Sequence, residues 1–244
     1  MDYLPLWIGG EVLGQVPRRL APVLGIISQL VVTEDYVQLL DVGLTTKHRS
    51  EILQRVALQL KKNGLILDWR NELCAVLDTK GQEVGRCERG AFRALGIQNR
   101  AVHVTARRED GQYWIARRSA TKRAGAGMLD NFAAGGVSAG ESLWDCGIRE
   151  LWEEAGVPPQ LSSELFFPEV ALRSLRETAS GLHDELVIVA ELVLPNSFQP
   201  INRDSEVAEF LRLNRAEVEA ALEGGEFTIE AALATRCVLQ RHAR

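Results

Sequence analysis

The chain has little of what would tie it to redox, nucleic-acid or membrane chemistry. Its four cysteines, Cys74, Cys87, Cys146 and Cys237, stand far apart, without the paired CxxC spacing of a zinc or dithiol site, and read as reduced and structural. His48, His103, His183 and His242 form no cluster in the sequence either. Basic residues are not in surplus: 28 Lys and Arg against 33 Asp and Glu leave a net charge of −5. That balance argues against a nucleic-acid partner, and any anionic ligand must be held by a local site. No run approaches the roughly 18 consecutive apolar residues of a bilayer span, since the best stretch, Leu186 to Leu194, is broken by Glu191. The opening MDYLPLWIGGEVLG lacks the charged start and long apolar core of a signal peptide. A cytoplasmic location and no membrane partner are expected. Internal repeats and low-complexity linkers are missing too, and no pattern sets an oligomeric state.

What is present is an ordinary globular composition, 46% hydrophobic over 244 residues, enough for one large domain or two modest ones. LWIGGEVLG reads as a hairpin about Gly9 and Gly10. TKHRSEILQRVALQLKKNG places Ile52, Leu53, Val56 and Leu60 on one face of a helix and stops it at Gly64. LCAVLD reads as a strand and ERGAFRALG as a short helix closing near Gly96. From about residue 97 the pattern changes: AVHVTARR and YWIARRS form a second hairpin around EDGQ, followed by a long loop from Ser119 to Ala134. Further on come a strand near Phe166, the strong strand ELVIVAELVLP, the run EVAEFLRL and two C-terminal helices. The class is α+β, with domains at 1–96 and 97–244.

The stretch GGVSAGESLWDCGIRELWEEAGVPP crowds Glu150, Glu153 and Glu154 into five residues beside Arg149. Ser142 can cap a helix that Gly156, Pro158 and Pro159 end. At about 100° per residue the three acids share an arc of roughly 100°, with Leu143, Trp144, Gly147, Ile148, Leu151 and Ala155 on the neighbouring arc. Like charges at spacings of three and four repel by a few tenths of a kcal/mol per pair. A hard divalent cation, Mg²⁺ or Mn²⁺, turns that repulsion into binding, because it prefers carboxylate oxygens. In the preceding loop, Gly135 and Gly136 let backbone approach a metal or phosphate.

Gly135, five residues, Glu141, seven residues, then Arg149-Glu150-Leu151-Trp152-Glu153-Glu154-Ala155-Gly156-Val157 resembles the Nudix hydrolase signature at every defined position. The resemblance implies an α/β/α sandwich with a mixed sheet, preceded here by a smaller α+β domain. It implies metal-dependent hydrolysis of a diphosphate in a small-molecule substrate. Carried over by position, Glu150, Glu153 and Glu154 become metal-binding carboxylates and Arg149 the residue that orients them. Glu141 braces the loop, Gly135 supplies a carbonyl or a tight turn, and Gly136 and Gly156 shape the loop and helix end. Either Glu150 or Glu206 would act as base.

A narrower resemblance spans most of the chain. WRNE, ER at Glu88–Arg89, GIQNRAVHV, WIARRSATK, GMLDNFAAGG, ELVLP and DSEVAEF are similar, in order and spacing, to the Nudix subfamily with an extra N-terminal domain that acts on thiamine diphosphate and its oxidised forms. KRAGAG, and Ser205 in place of the glycine of a DGEV motif, depart from that pattern. Pyrophosphatases of ADP-ribose or a dinucleotide are the alternative, and a non-catalytic binding or regulatory module the second; the intact carboxylates argue against the latter. Arg117, Arg118, Lys122 and Arg123 crowd positive charge before the acidic helix, Arg118 being best suited to grip a diphosphate. Glu206 is an added metal ligand or a base, or else the partner in a structural salt bridge. Trp69 and Trp114 are open to stacking on a heteroaromatic ring, whereas Trp144 suits the core.

Overall fold

The computed structural model describes residues 2–122 and 124–243. Two compact units divide them, one built from 2–99, 138–140 and 175–185, the other from 100–137, 141–174 and 186–243.

In the first unit, strands β1 (Tyr3–Ile8) and β2 (Glu11–Pro17) form a hairpin paired from Tyr3↔Pro17 to Ile8↔Glu11, with a one-residue register shift between Leu6 and Trp7. Its turn is Gly9-Gly10, both at positive φ (63° and 85°), the backbone a two-residue hairpin turn of matching twist requires. Along β1 the side chains alternate, with Leu4, Leu6 and Ile8 buried. Helix α1 (Ala21–Leu24) leads to β3 (Leu30–Val32) and β4 (Val37–Leu39), completing a sheet of order β2-β1-β4-β3. Neither β3 nor β4 is expected from the sequence; at three residues each they are too short to show alternation.

Helix α2 (Thr46–Lys62) begins where the Thr45 hydroxyl accepts from the His48 amide, and it buries Ile52, Leu53, Val56, Ala57 and Leu60, the expected face. Strands β5 (Leu73–Leu77) and β6 (Glu83–Glu88) pair as a separate hairpin. After them, α3 (Phe92–Leu95) ends on Gly96 at φ +58°. A Cβ on Gly96 would stand 2.2 Å from the Gln15 carbonyl oxygen. Gly96→Ala is therefore expected to cost on the order of 3 kcal/mol, combining a left-handed backbone with a clash against main chain; a urea midpoint within error of the parent would refute this.

The second unit centres on a seven-stranded sheet. Strands β7 (Asn99–Arg108) and β8 (Tyr113–Arg118) form the expected hairpin. The segment expected to be one long loop instead contains β9 (Leu129–Asp130), paired to β8, and β10 (Ala133–Gly136), paired to β7. Small residues and a two-residue strand carry no period, so the pairing partners decide these elements. Next come α4 (Leu143–Ala155), the one-turn α5 (Pro159–Ser162), β11 (Ala171–Thr178), β12 (Gly181–Leu194), β13 (Val207–Leu213), α6 (Arg215–Glu223) and α7 (Ile229–Arg241). The order is β11-β12-β7-β8-β13. Phe166, expected within a strand, makes only an isolated bridge to Glu191.

Alternation along the strands makes this sheet the middle of a sandwich. Trp114 of β8 with Ala190, Leu192 and Leu194 of β12 faces the cluster that holds Cys146, Leu151 and Ala155 of α4. Tyr113 and Ile115 face Val218 and Leu222 of α6 and Ala231 of α7, and Val187 and Val189 face Ala234 and Val238 of α7. Helices thus cover both faces, α4 with Leu161 of the one-turn α5 on one side and α6 with α7 on the other. Among the described residues no helix is long and apolar enough to cross a membrane.

Candidate active site

Helix α4 is locally determined. The Ser142 hydroxyl accepts from the Asp145 amide at its start, and Gly156, at φ +65°, closes it with its N–H on the Leu151 and Trp152 carbonyls. Gly147 lets it lie close, since a Cβ there would come 2.6 Å from Leu165. The apolar flank is narrower than the helical wheel suggests: Leu151 and Ala155 are buried, but Trp144, expected in the core, is 41% exposed. Its ring leans on Phe167, 6.2 Å away between centroids.

The acids separate by burial. Glu150 and Glu154 are 7% and 6% exposed, whereas the Glu153 side chain is 46% exposed. Arg149 binds three carboxylates at once. Its Nε and Nη2 donate to the two oxygens of Glu141 (2.8 and 3.1 Å), and its Nη1 donates to Glu150 (2.5 Å) and Glu153 (3.1 Å). Nη2 also donates to the Gly136 carbonyl (3.2 Å), tying helix to strand. The hydrogen bond to Glu141 above all raises the Arg149 pKa and keeps the guanidinium charged.

Glu154 accepts from the Ala134 amide at 2.9 Å. Burial, then the neighbouring Glu150, push its carboxyl well above the ordinary range. Gly135 sits in β10 rather than in a tight turn, and a Cβ on it would lie 1.8 Å from a Glu150 carboxylate oxygen. The glycine is needed because the carboxylate occupies the space of a side chain. Gly136 likewise belongs to β10.

A second acidic group comes from the turn before β13. Ligand oxygens of Glu154, Asp204 and Glu206 lie within 4.8 Å of one another. Asp204 is missing from the residues expected from sequence; its place two positions before Glu206 in DSEV was the available signal. Asn202 shapes the turn by accepting from the Asp204 and Ser205 amides, and Asp204 accepts from the Glu206 amide at 2.8 Å. Ser205 stands at φ +67°, where glycine costs nothing. Ser205→Gly is expected to raise stability by roughly 0.5 kcal/mol, strain relief outweighing added unfolded-state entropy; a fall in Tm would contradict this.

A profile described as NUDIX domain matches residues 97–233, more than half of the chain. The chain belongs to the Nudix family. It is similar to Nudix hydrolase 24, chloroplastic, of Arabidopsis thaliana, 27% identical over 224 residues that cover 89% of this chain and 61% of that one. It is also similar to the uncharacterized Nudix hydrolase SCO1686 of Streptomyces coelicolor, 33% identical over 157 residues covering 64% and 82% respectively. The crystal structure of DR0079 from Deinococcus radiodurans shares the fold, with a TM-score of 0.52 at 24% identity, over 71% of this chain and all of that one. The chain thus spans about three fifths of the Arabidopsis relative's length.

Around the Nudix helix the basic residues are already engaged. Arg117 donates to Glu209 (2.6 Å) and to the Gly127 carbonyl, Arg118 to Asp130 (2.5 Å) and to the Ala124 carbonyl, and Lys122 is ion-paired with Glu206. Arg123 lies outside the described residues. Trp114, expected as open to ring stacking, is instead 3% exposed, with the Arg108 and Arg212 guanidinium groups 5.5 and 5.9 Å from its ring centroid. In the first unit, Trp69 donates its indole N–H to Asn71 (2.8 Å), and the Lys61 ammonium lies 4.1 Å over its ring. One face of Trp69 is therefore taken. Trp152 is capped by Arg203, 3.8 Å from the ring centroid.

The donor set suits a hard divalent cation. The side chains that would bind it offer carboxylate oxygens with no thiol or imidazole among them, and Glu150 and Glu154 are buried like charges, the first paired with Arg149 and the second only partly offset by the Ala134 amide and Lys122.

Proposed function

We propose that this chain is a metal-dependent hydrolase of diphosphate linkages, with thiamine diphosphate or its oxidised forms as substrate. The observation that carries the hydrolase reading is the convergence of buried Glu154 with Asp204 and Glu206, at the end of a helix on which buried Glu150 neighbours Glu154 and Arg149 holds Glu141, Glu150 and Glu153 in one array. Two buried like charges are an expensive arrangement for a merely structural helix. Glu150, Glu153 and Glu154 would hold Mg²⁺ or Mn²⁺, with Asp204 and Glu206 completing the acidic wall. A bound divalent cation neutralises diphosphate oxygens and makes water more acidic.

The chain's own residues do the rest. Glu206 or Glu150 accepts the proton of the attacking water, and a carboxylate placed within hydrogen-bond reach suffices once that water is acidified. Arg149 keeps the carboxylates in fixed orientation by sharing one guanidinium among them. Arg117, Arg118 or Lys122 receives the diphosphate, exchanging an acidic partner for a phosphate one.

The thiamine substrate is supported by the ordered motifs WRNE, GIQNRAVHV, WIARRSATK and DSEVAEF, part of them in the first unit, for which we propose recognition of the substrate's rings, with the part of Trp69 left uncovered by Lys61 and by the core it packs against as a stacking surface. The competing reading is a pyrophosphatase of ADP-ribose or a dinucleotide. Comparing kcat/KM for thiamine diphosphates, ADP-ribose and NADH separates them. Oxidised thiamine diphosphates are expected to be preferred and cut to a monophosphate and phosphate, and Trp69→Ala to raise KM for them several-fold, since stacking is worth about 1 kcal/mol. A tenfold preference for ADP-ribose or NADH would end the thiamine reading and leave the hydrolase reading standing.

A further inference from the structure

Lys122 reaches the acidic cluster from the segment that joins β8 to β9. Its ammonium is ion-paired with Glu206, and its side chain is only 17% exposed, half as much as that of its partner at 36%. The oxygens of Glu154, Asp204 and Glu206 are close enough together for one cation to touch all three. The ammonium acts on the other two acids as well, opposing the burial that raises the Glu154 and Asp204 carboxyls. Arg117 and Arg118 differ in this respect, because their partners Glu209 and Asp130 lie outside the cluster. Lys122 alone of the three competes for the oxygens that a divalent cation would use.

A lysine ammonium is a single compact charge on a flexible stem, without the fixed fork that commits an arginine to one partner. A divalent cation would bring twice the charge to the same oxygens. An ammonium and a divalent cation within that space repel each other. We propose that Lys122 is a built-in counterion which holds Glu154, Asp204 and Glu206 together before metal binds, and which metal displaces toward the diphosphate of the incoming substrate. This rests on the reading of Glu154 as a metal ligand. The exchange keeps the acidic wall assembled without metal, lowers the affinity for metal alone and makes metal and diphosphate bind cooperatively, because each frees a partner for the other.

The test needs no turnover. Mn²⁺ binding, measured as depletion of free Mn²⁺, is compared for the full chain, Lys122→Met, Lys122→Gln and Glu154→Gln. Removal of the competing charge is expected to tighten Mn²⁺ binding about tenfold, within the usual range of coupling between sites, while Glu154→Gln weakens it. In parallel, amine acetylation read by peptide mass is expected to label Lys122 slowly in chelator and at least several-fold faster in saturating Mg²⁺. Equal or weaker Mn²⁺ binding by both lysine variants, or a labelling rate indifferent to Mg²⁺, overturns the exchange. If Glu154→Gln also binds Mn²⁺ as the parent does, the metal reading fails and the exchange with it.

Discussion

Glu153→Gln and Glu154→Gln are each expected to lower kcat by on the order of 10²-fold or more while the chain keeps its fold. The two positions test different parts of the array. Glu153 is half-exposed and held by Arg149 at 3.1 Å, whereas Glu154 is buried and anchored to the Ala134 amide at 2.9 Å. A glutamine at 154 still offers an oxygen to that amide and removes a desolvated charge facing Glu150. The metal-free unfolding midpoint of Glu154→Gln should therefore equal or exceed that of the parent. Mg²⁺ should raise the parent's Tm, because the native site binds it and the unfolded chain does so poorly, and the rise should shrink in both variants. Near-parental turnover in saturating Mg²⁺, or an equal Tm shift in all three proteins, would remove these residues from the metal site.

Gly135→Ala should abolish activity to a similar degree by a different route. A Cβ at 135 would stand 1.8 Å from Glu150 Oε1 and 2.0 Å from its Cδ, so the carboxylate must leave the place where Arg149 holds it. Displacement of a catalytic carboxylate by about 1 Å costs on the order of 10²-fold. The obstructing atoms are the end of a side chain rather than main chain, so the stability cost should stay near 1 kcal/mol. This separates the site from Gly96, where the same substitution meets backbone. A variant that is fully active, or one unfolded by several kcal/mol, would show that Gly135 serves something other than the seat of Glu150.

Much of the site was legible because its information is local. Ser142, Gly156 and the spacing of Glu150, Glu153 and Glu154 define a capped helix with an acidic edge on the sequence alone. What was not legible depends on partners distant in the chain. Asp204 gains meaning only where its turn meets Glu154, fifty residues earlier. Arg117 and Arg118 look like free cations in WIARRSATK, yet Glu209 and Asp130 already hold them. Trp114 and Trp144 exchange their expected environments, because burial of an aromatic follows which face of the sheet or helix is covered, and the period alone does not say so.

By itself the sequence determined the α+β class, the longer elements, the Nudix signature and the exclusion of any nucleic-acid bias in charge. Each follows from composition or from spacings within one short continuous stretch, where chain geometry is set by neighbouring residues. Only the tertiary structure decided that the expected loop from Ser119 to Ala134 is stitched into the sheet by β9 and β10, that Glu150 and Glu154 are buried while Glu153 is not, and that Lys122 faces Glu206. Those facts rest on strand pairing and on packing between segments far apart in the chain. Burial and charge pairing are properties of the space between elements, and that space exists only once the sheet has formed.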